Sequence, residues 1–424
     1  MSGTLTESTG PTGDAFFLDL SLDRGQIGYT LRATVAGLSA VSNPFNVNGF
    51  CSSASLSIGR ELHTAILLSN GKVLIAGGLD LNGVALKTAE LYEPSTGTVS
   101  PTGNLSAPNG RGGQASIVLQ NGQVLLIGGV DNAGTSLATG ELYDPVSGTF
   151  SPTSSMAQAR GNIRAVLLAN GKVLVAGGSD ANGALASAEI HDPVGAVFTP
   201  TGSLSQARER HTMTLLPNGK VLAAGGRIFT NGAFSILSSA ELFDPQASEG
   251  VGSFTTVGNM NSSRDFPTAN LLSNGTVLLV GGFISYQTNL SASSAEIFDP
   301  ATNAFMLTGS MSTPRTHHTA SLLPGGTVLV AGGVPNTING TPAKATAEIY
   351  SPTTGTFSPT GSMTTQREYA QDTVLVNGNP LIAGGDDGIK VMSTTEIYYS
   401  TRWPPTINGF GVNAEPNRGY LLGR

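Results

Sequence analysis

The chain has 424 residues but only one cysteine, Cys51, and one tryptophan. A single cysteine excludes an internal disulfide framework and any zinc site built on cysteines. Charged residues are 12% of the sequence, about half the usual share. Surface ion pairs therefore cannot carry the fold, which must rest on apolar strand faces and small residues. The net charge is −7, which argues against a nucleic-acid partner. No apolar run reaches the about 18 residues of a membrane span. Met1-Ser2-Gly3 is followed by polar residues, so no secretion signal is legible. The zinc-protease His-Glu-x-x-His, the phosphate-binding Gly-x-x-x-x-Gly-Lys and the Gly-x-Ser-x-Gly nucleophile elbow are all missing. No cofactor and no metal is expected.

What the chain does contain is repetition. The stretch from Arg60 to Pro101 is written out six more times. Its double glycine recurs at 77–78, 128–129, 177–178, 225–226, 281–282, 332–333 and 384–385. An Arg precedes each pair (Arg60, Arg111, Arg160, Arg208, Arg264, Arg315, Arg367) and a Glu follows it (Glu90, Glu141, Glu189, Glu241, Glu296, Glu348, Glu396). Seven copies at a period of 48 to 56 residues are the mark of a propeller built from four-stranded blades. Within each copy, Asn-Gly separates two short strands, as at Asn170-Gly171, and predicts a two-residue hairpin. The second strand is nearly all apolar, as a strand buried on both faces should be.

The double glycine, the aromatic after the Glu (Tyr92, Tyr143, Phe243, Phe298, Tyr350) and a second aromatic about seven residues on (Phe150, Phe305, Phe357) closely resemble the kelch family, in its bacterial form, over residues 50–403. The resemblance implies an all-β, seven-bladed kelch-type propeller.

The two ends show how the ring closes. Phe50 to Arg60 has the spacing of Phe150 to Arg160, so it reads as the fourth strand of a blade with no earlier strands. The last repeat, from Arg367, has three strands and then departs at Trp403-Pro404-Pro405. Together they make one blade, closed by an N-terminal strand, which removes the exposed sheet edges. Residues 1–49 form a separate segment. Its first thirteen residues are expected to be extended or disordered. Asp14–Leu20, Tyr29–Val35 and Ser42–Val47 read as strands resembling the end of a bacterial immunoglobulin-like domain. Residues 404–424 form a tail that resembles the start of a following one. Neither piece can bury a core alone. Three outcomes stay open for these ends: remnants of flanking domains, pairing in cis beside the seventh blade, or strand addition between copies that builds a homo-oligomer or fibre.

The seven Arg and seven Glu are read as structural, because one active site has no use for seven copies while each blade must satisfy its own buried turn. His63, His211 and His318 recur three residues after a repeat Arg and are read as framework, and His191 as packed in an aromatic position. Asp80-Leu81-Asn82-Gly83 and Asp180-Ala181-Asn182-Gly183 imitate a calcium loop but lack its late Glu, so they are read as Asx turns.

Function must lie where the repeats differ. The two residues after each Arg vary most, and in a propeller they surround one mouth of the central channel. In animal kelch adaptors the second of these positions reads a bound peptide. The resemblance therefore points to Asn162, Arg210, Phe266, His317 and Tyr369 as a pocket, with Glu61, Glu209, Asp265 and Glu368 as an acidic ring. The longest loops on the same face add Phe229, Phe234, Tyr286 and Gln287.

Three function classes follow. The first, which the sequence favours, is a non-catalytic binding or structural module of a bacterial extracellular or cell-surface protein, with a protein or carbohydrate ligand at the mouth. Its Ser/Thr/Gly/Asn-rich composition supports that location, and any signal would lie outside this chain. The second is a copper-radical oxidase resembling galactose oxidase. That chemistry needs two Tyr, two His and a crosslinked Cys, whereas Cys51 lies in the closing strand. The third is a peptide-reading kelch adaptor, which would bring an oligomerisation domain that this chain lacks. A hydrolase or lyase using the acidic ring is left as a residual reading.

Overall fold

The computed structural model of the chain describes residues 49–400, apart from 231 and 337–341, together with the strands Gln26–Tyr29, Arg32–Val35, Leu38–Val41 and Phe45–Val47. Each repeat forms one four-stranded antiparallel sheet, and seven of these blades complete a propeller. Blade one runs from the channel outward through Thr64–Leu67, Val73–Ala76, Ala89–Glu93 and Thr98–Pro101. The innermost strands of blades two to six are Ala115–Val118, Arg164–Leu167, Thr212–Leu215, Thr268–Leu271 and Thr319–Leu322. Blade seven joins Gln371–Val374, Pro380–Ala383 and Thr394–Tyr399 to the N-terminal strand Gly49–Ser55, with Tyr398 opposite Phe50 and Tyr399 opposite Gly49.

The core lies between blades. Every side chain of the second strands, such as Val221–Ala224, is buried on both faces. One such layer sets Leu174 and Ala176 of blade three against Val221, Ala223 and Phe243 of blade four. Burying each large aliphatic contributes about 1.5–3 kcal/mol. The layers are ordered further by aromatic pairs across the third and fourth strands, including Tyr143–Phe150, Phe298–Phe305 and Phe50–Tyr398. His191 takes the same place, fully buried and edge-on to Phe198.

The repeated polar residues hold the blades in register. Each Arg is buried and pairs within its own blade with the Glu of the third strand, as in Arg208–Glu241 at 2.9 Å. The guanidinium also donates to two carbonyls, those of Gly225 and Ser239 for Arg208. The Glu carboxylate in turn accepts backbone N–H groups from the loop arriving from the previous blade, as Glu189 does from Ala157 at 2.7 Å. The Arg backbone carbonyl accepts from the second glycine of the previous blade, Gly178 for Arg208, at 2.9 Å. Glycine is required there: Gly226 has φ +90°, and a Cβ on it would stand 2.3 Å from the Glu209 carbonyl oxygen.

Two local expectations are corrected. The Asn-Gly turns are not two-residue hairpins of the primed type, which need positive φ at both residues. Only the glycine, for example Gly71 at φ +84°, is left-handed. Gly71 donates to the Leu68 carbonyl and the Asn70 side chain accepts from Lys72, giving a three-residue loop. At the N-terminus, Gln26–Tyr29 pairs with Phe45–Val47, whereas Arg32–Val35 pairs with Leu38–Val41. The expected strand Tyr29–Val35 is thus divided between two partners. The readings of residues 1–20 and of the tail 404–424 lie outside the described residues. Asp80 and Asp180 form the expected Asx turns, accepting from the amides of Asn82 and Asn182.

Candidate functional site at the channel mouth

The residue after each Arg bridges to the residue after that blade's double glycine: Glu61 to Leu79, Gly161 to Ser179, Glu209 to Arg227, Asp265 to Phe283, Glu368 to Asp386. The next residue must then turn the chain into the innermost strand. It does so in the left-handed conformation in every blade, with φ of 49° at Leu62, 64° at Gly113, 47° at Asn162, 58° at Arg210, 54° at Phe266, 53° at His317 and 51° at Tyr369. Several of their amides donate to the carbonyl of the equivalent residue one blade back, as Gly113 does to Leu62 and Tyr369 to His317. These residues therefore form one half-buried ring around the channel.

Four of the side chains touch in sequence. The Arg210 guanidinium lies over the Phe266 ring, 4.6 Å from its centre, and 3.7 Å from the Asp265 carboxylate. Phe266 meets His317 edge-on at 4.9 Å, and His317 stacks on Tyr369 at 3.9 Å. Asn162 stands apart from this aromatic arc and donates to Glu209 at 2.7 Å. Leu62 and Gly113 complete the ring without polar groups.

The four carboxylates of the expected acidic ring are not equivalent in their surroundings. Glu209 is buried and held by Arg227 at 2.7 Å and by the Ser179 hydroxyl. Burial pushes it up, but Ser179 and Arg227 outweigh burial and leave it below the usual carboxylate range. Asp265 accepts from the Tyr286 hydroxyl and is raised by burial. Glu368 lies 2.8 Å from His317 Nδ1. Burial lifts Glu368 to about 7. Burial, with Arg210, drops His317 to about 3. Burial thus disfavours the charged form of both partners, and a neutral pair sharing one hydrogen bond is the form it favours. Glu61 is raised to about 7 by burial and by the nearby carboxylates of Asp386 and Glu368.

The residues after the double glycine were missed by the sequence reading. Arg227 is the main one: it bonds Glu209 and Tyr286 and covers the Phe234 ring at 3.7 Å. Its signal was present, since this position also varies between repeats. The loops of blades four and five form extra two-stranded hairpins. They carry the exposed pair Phe229–Phe234 at 5.0 Å, with Tyr286 5.8 Å from Phe234. Gln287 is exposed nearby. A stretch of the corresponding blade-six loop, 337–341, lies outside the described residues.

The blades and this mouth define a seven-bladed β-propeller of kelch type. A family model described as "Kelch motif" matches residues 111–157, the second repeat. No curated protein matches the chain. Among solved structures the chain is similar to one titled "Novel fungal alcohol oxidase with catalytic diversity among the AA5 family, in complex with copper". The two are 19% identical with a TM-score of 0.69, over 83% of this chain and 76% of that one, a likeness of fold alone.

The described residues do not assemble the two-Tyr, two-His set of a copper-radical centre, since His317 is the single histidine among the seven mouth residues. Among the described residues no three His, Cys, Asp or Glu side chains are grouped to hold a metal. His63 and His211 are buried in the wall, their rings packed under Gly384 and Gly177 of the preceding blades. Cys51 lies in the outer strand of blade seven.

Proposed function

We propose that the propeller is a non-catalytic binding module of an extracellular or cell-surface protein, with a carbohydrate or protein ligand seated on the channel mouth. One observation carries this reading. A left-handed turn is best served by glycine, since other residues there cost roughly 1–2 kcal/mol each. The chain uses glycine at both positions of all seven double-glycine pairs, yet at the mouth only blade two has it. The other six keep Leu, Asn, Arg, Phe, His and Tyr. Retained strain at a concave surface is a mark of function. The aromatic arc supplies stacking faces, and Arg210, Asn162 and Glu61 supply directional polar contacts.

A glycan and peptide array tests the reading. Arg210→Ala and Tyr369→Ala should abolish every hit with little change in melting temperature. Hits that survive both variants would move the binding surface elsewhere. Copper titration followed by electron-resonance spectroscopy separates this reading from an oxidase, which would require a bound copper signal. The kelch-type fold by itself supports a binding or structural role. Assembly through the N-terminal strands is a further element of the proposal, supported by the two-stranded sheets at residues 26–47. A sedimentation profile that stays monomeric at high concentration would remove it.

A further inference from the structure

The first position of the innermost strand is Thr64, Ala115, Arg164, Thr212, Thr268, Thr319 and Gln371 in the seven blades. Arg164 is the one charge in this layer, directly below the mouth. Among the described residues it donates to the carbonyl of Ile163, at 3.0 Å, and forms no ion pair. Burial pulls its pKa down, with Asp265 and Arg210 as its electrostatic neighbours. A partly buried guanidinium without a paired carboxylate is costly unless something else compensates it. Every other arginine described in the propeller has an acidic partner.

Arg164 lines a cavity of about 270 Å³ together with Thr212, Thr268, Thr319, Gln371 and Asp372. That volume lies just below the usual range of ligand pockets, about 300–1,000 Å³, and suits a ligand no larger than a monosaccharide. The cavity adjoins the mouth, because its wall includes Pro267, His318 and Ala370, the chain neighbours of Phe266, His317 and Tyr369. Gln371 offers hydrogen bonds to ligand hydroxyls, and the hydroxyls of Thr212 and Thr319, which donate to the carbonyls of Ala224 and Ala331, can accept them. Asp372, which takes the Ser321 hydroxyl, stands in the same wall and disfavours a dianion such as phosphate.

We infer that this cavity binds the carboxylate of a small hydroxylated acid, of the uronic-acid class, with Arg164 as the anchor. The planar fork of the guanidinium takes both carboxylate oxygens at once. The inference rests on the mouth reading for the ligand's way in, but it concerns a separate set of residues.

Calorimetry with D-glucuronate, D-glucose and inorganic phosphate tests it on the whole chain. Glucuronate should bind at least tenfold more tightly than glucose, which lacks the charge, and more tightly than phosphate. Arg164→Gln should remove that advantage, and Arg164→Lys should weaken it, since an ammonium cannot form the paired contact. If Arg164→Gln does not fold, the guanidinium signals of the native protein provide the readout, and glucuronate should shift that of Arg164. Equal binding of glucose and glucuronate, tighter binding of phosphate, or an unchanged affinity in the folded Arg164 variants would overturn the inference. Loss of array hits in Tyr369→Ala with glucuronate binding intact would separate the mouth from the cavity. Array hits without any glucuronate binding would sink the cavity alone.

Discussion

The backbone carbonyl of Arg60 accepts a 2.9 Å hydrogen bond from the amide of Gly385, a residue at the far end of the repeat series. The same bond joins Arg111 to Gly78, Arg160 to Gly129 and so on around the ring, at 2.8–2.9 Å. The closing interface is therefore built like the other six. The outer strand pair of blade seven differs from the other six in a register shift between Thr394 and Glu396, but the bond between blades is the same all round, so the joint should unfold with the rest.

Phe50→Ala tests this. Phe50 is fully buried in the closing strand, 5.1 Å from Tyr398. Its truncation should cost about 3–5 kcal/mol and lower a single, ring-wide transition in scanning calorimetry. Val146→Ala, at a residue 96% exposed, should change little. A separate low-temperature transition for Phe50→Ala would show that blade seven melts alone.

Glu241→Ala should be severely destabilising, by about 3–5 kcal/mol, because it strands the fully buried Arg208. For a simple buried pair, replacing both partners by apolar residues often restores stability. Here it should not, since Arg208 also serves the carbonyls of Gly225 and Ser239, at 2.9 Å each. The double variant Arg208→Met/Glu241→Leu should stay well below the native melting temperature. Recovery to the native value would mean that those two carbonyls find water.

The blades were legible in the sequence because each needs the same components: an Arg, a Glu, two glycines and a buried strand at fixed spacing. The closure was legible for the same reason, as two incomplete copies. The partners at the mouth were not. Glu209, Asp265 and Glu368 read alike, but Arg227, Tyr286 and His317 give each a different electrostatic setting. Those partners come from another strand or the neighbouring blade, and the repeat register gives their places without saying which residue pairs with which. The turn type was misread because Asn-Gly leaves open whether one residue or both are left-handed.

Left-handed φ should give opposite outcomes at two kinds of position. Leu62→Gly relieves strain at the mouth, where φ is 49°, and should hold or slightly raise the melting temperature. Gly226→Ala drives a Cβ to 2.3 Å from the Glu209 carbonyl oxygen and should lower it markedly. Similar losses in both variants would mean that the Leu62 side chain contributes more through packing than its backbone conformation costs.

Ionisation of the mouth should weaken the fold. Glu61 and Glu368 have pKa values raised from 4.5 to about 7. Their contribution is full below the unfolded-state value of 4.5 and is lost as pH rises through about 7. His317, lowered to about 3, stays neutral across that window. Stability should decline between about pH 5 and 8 relative to the double variant Glu61→Gln/Glu368→Gln, measured by denaturant melts at fixed salt. A native curve no steeper than that of the double variant would show that water or counter-ions already screen these carboxylates.

The register that sets Tyr399 opposite Gly49 also decides how the ring answers a mechanical load. The described chain enters blade seven at one of these residues and leaves it at the other. Tension on the two points acts across the end of an antiparallel pair, not along it. The hydrogen bonds of that pair would then break in succession from the rim inward, instead of being sheared together. A circle held shut by cooperative packing against heat is, under traction at this seam, opened like a zipper.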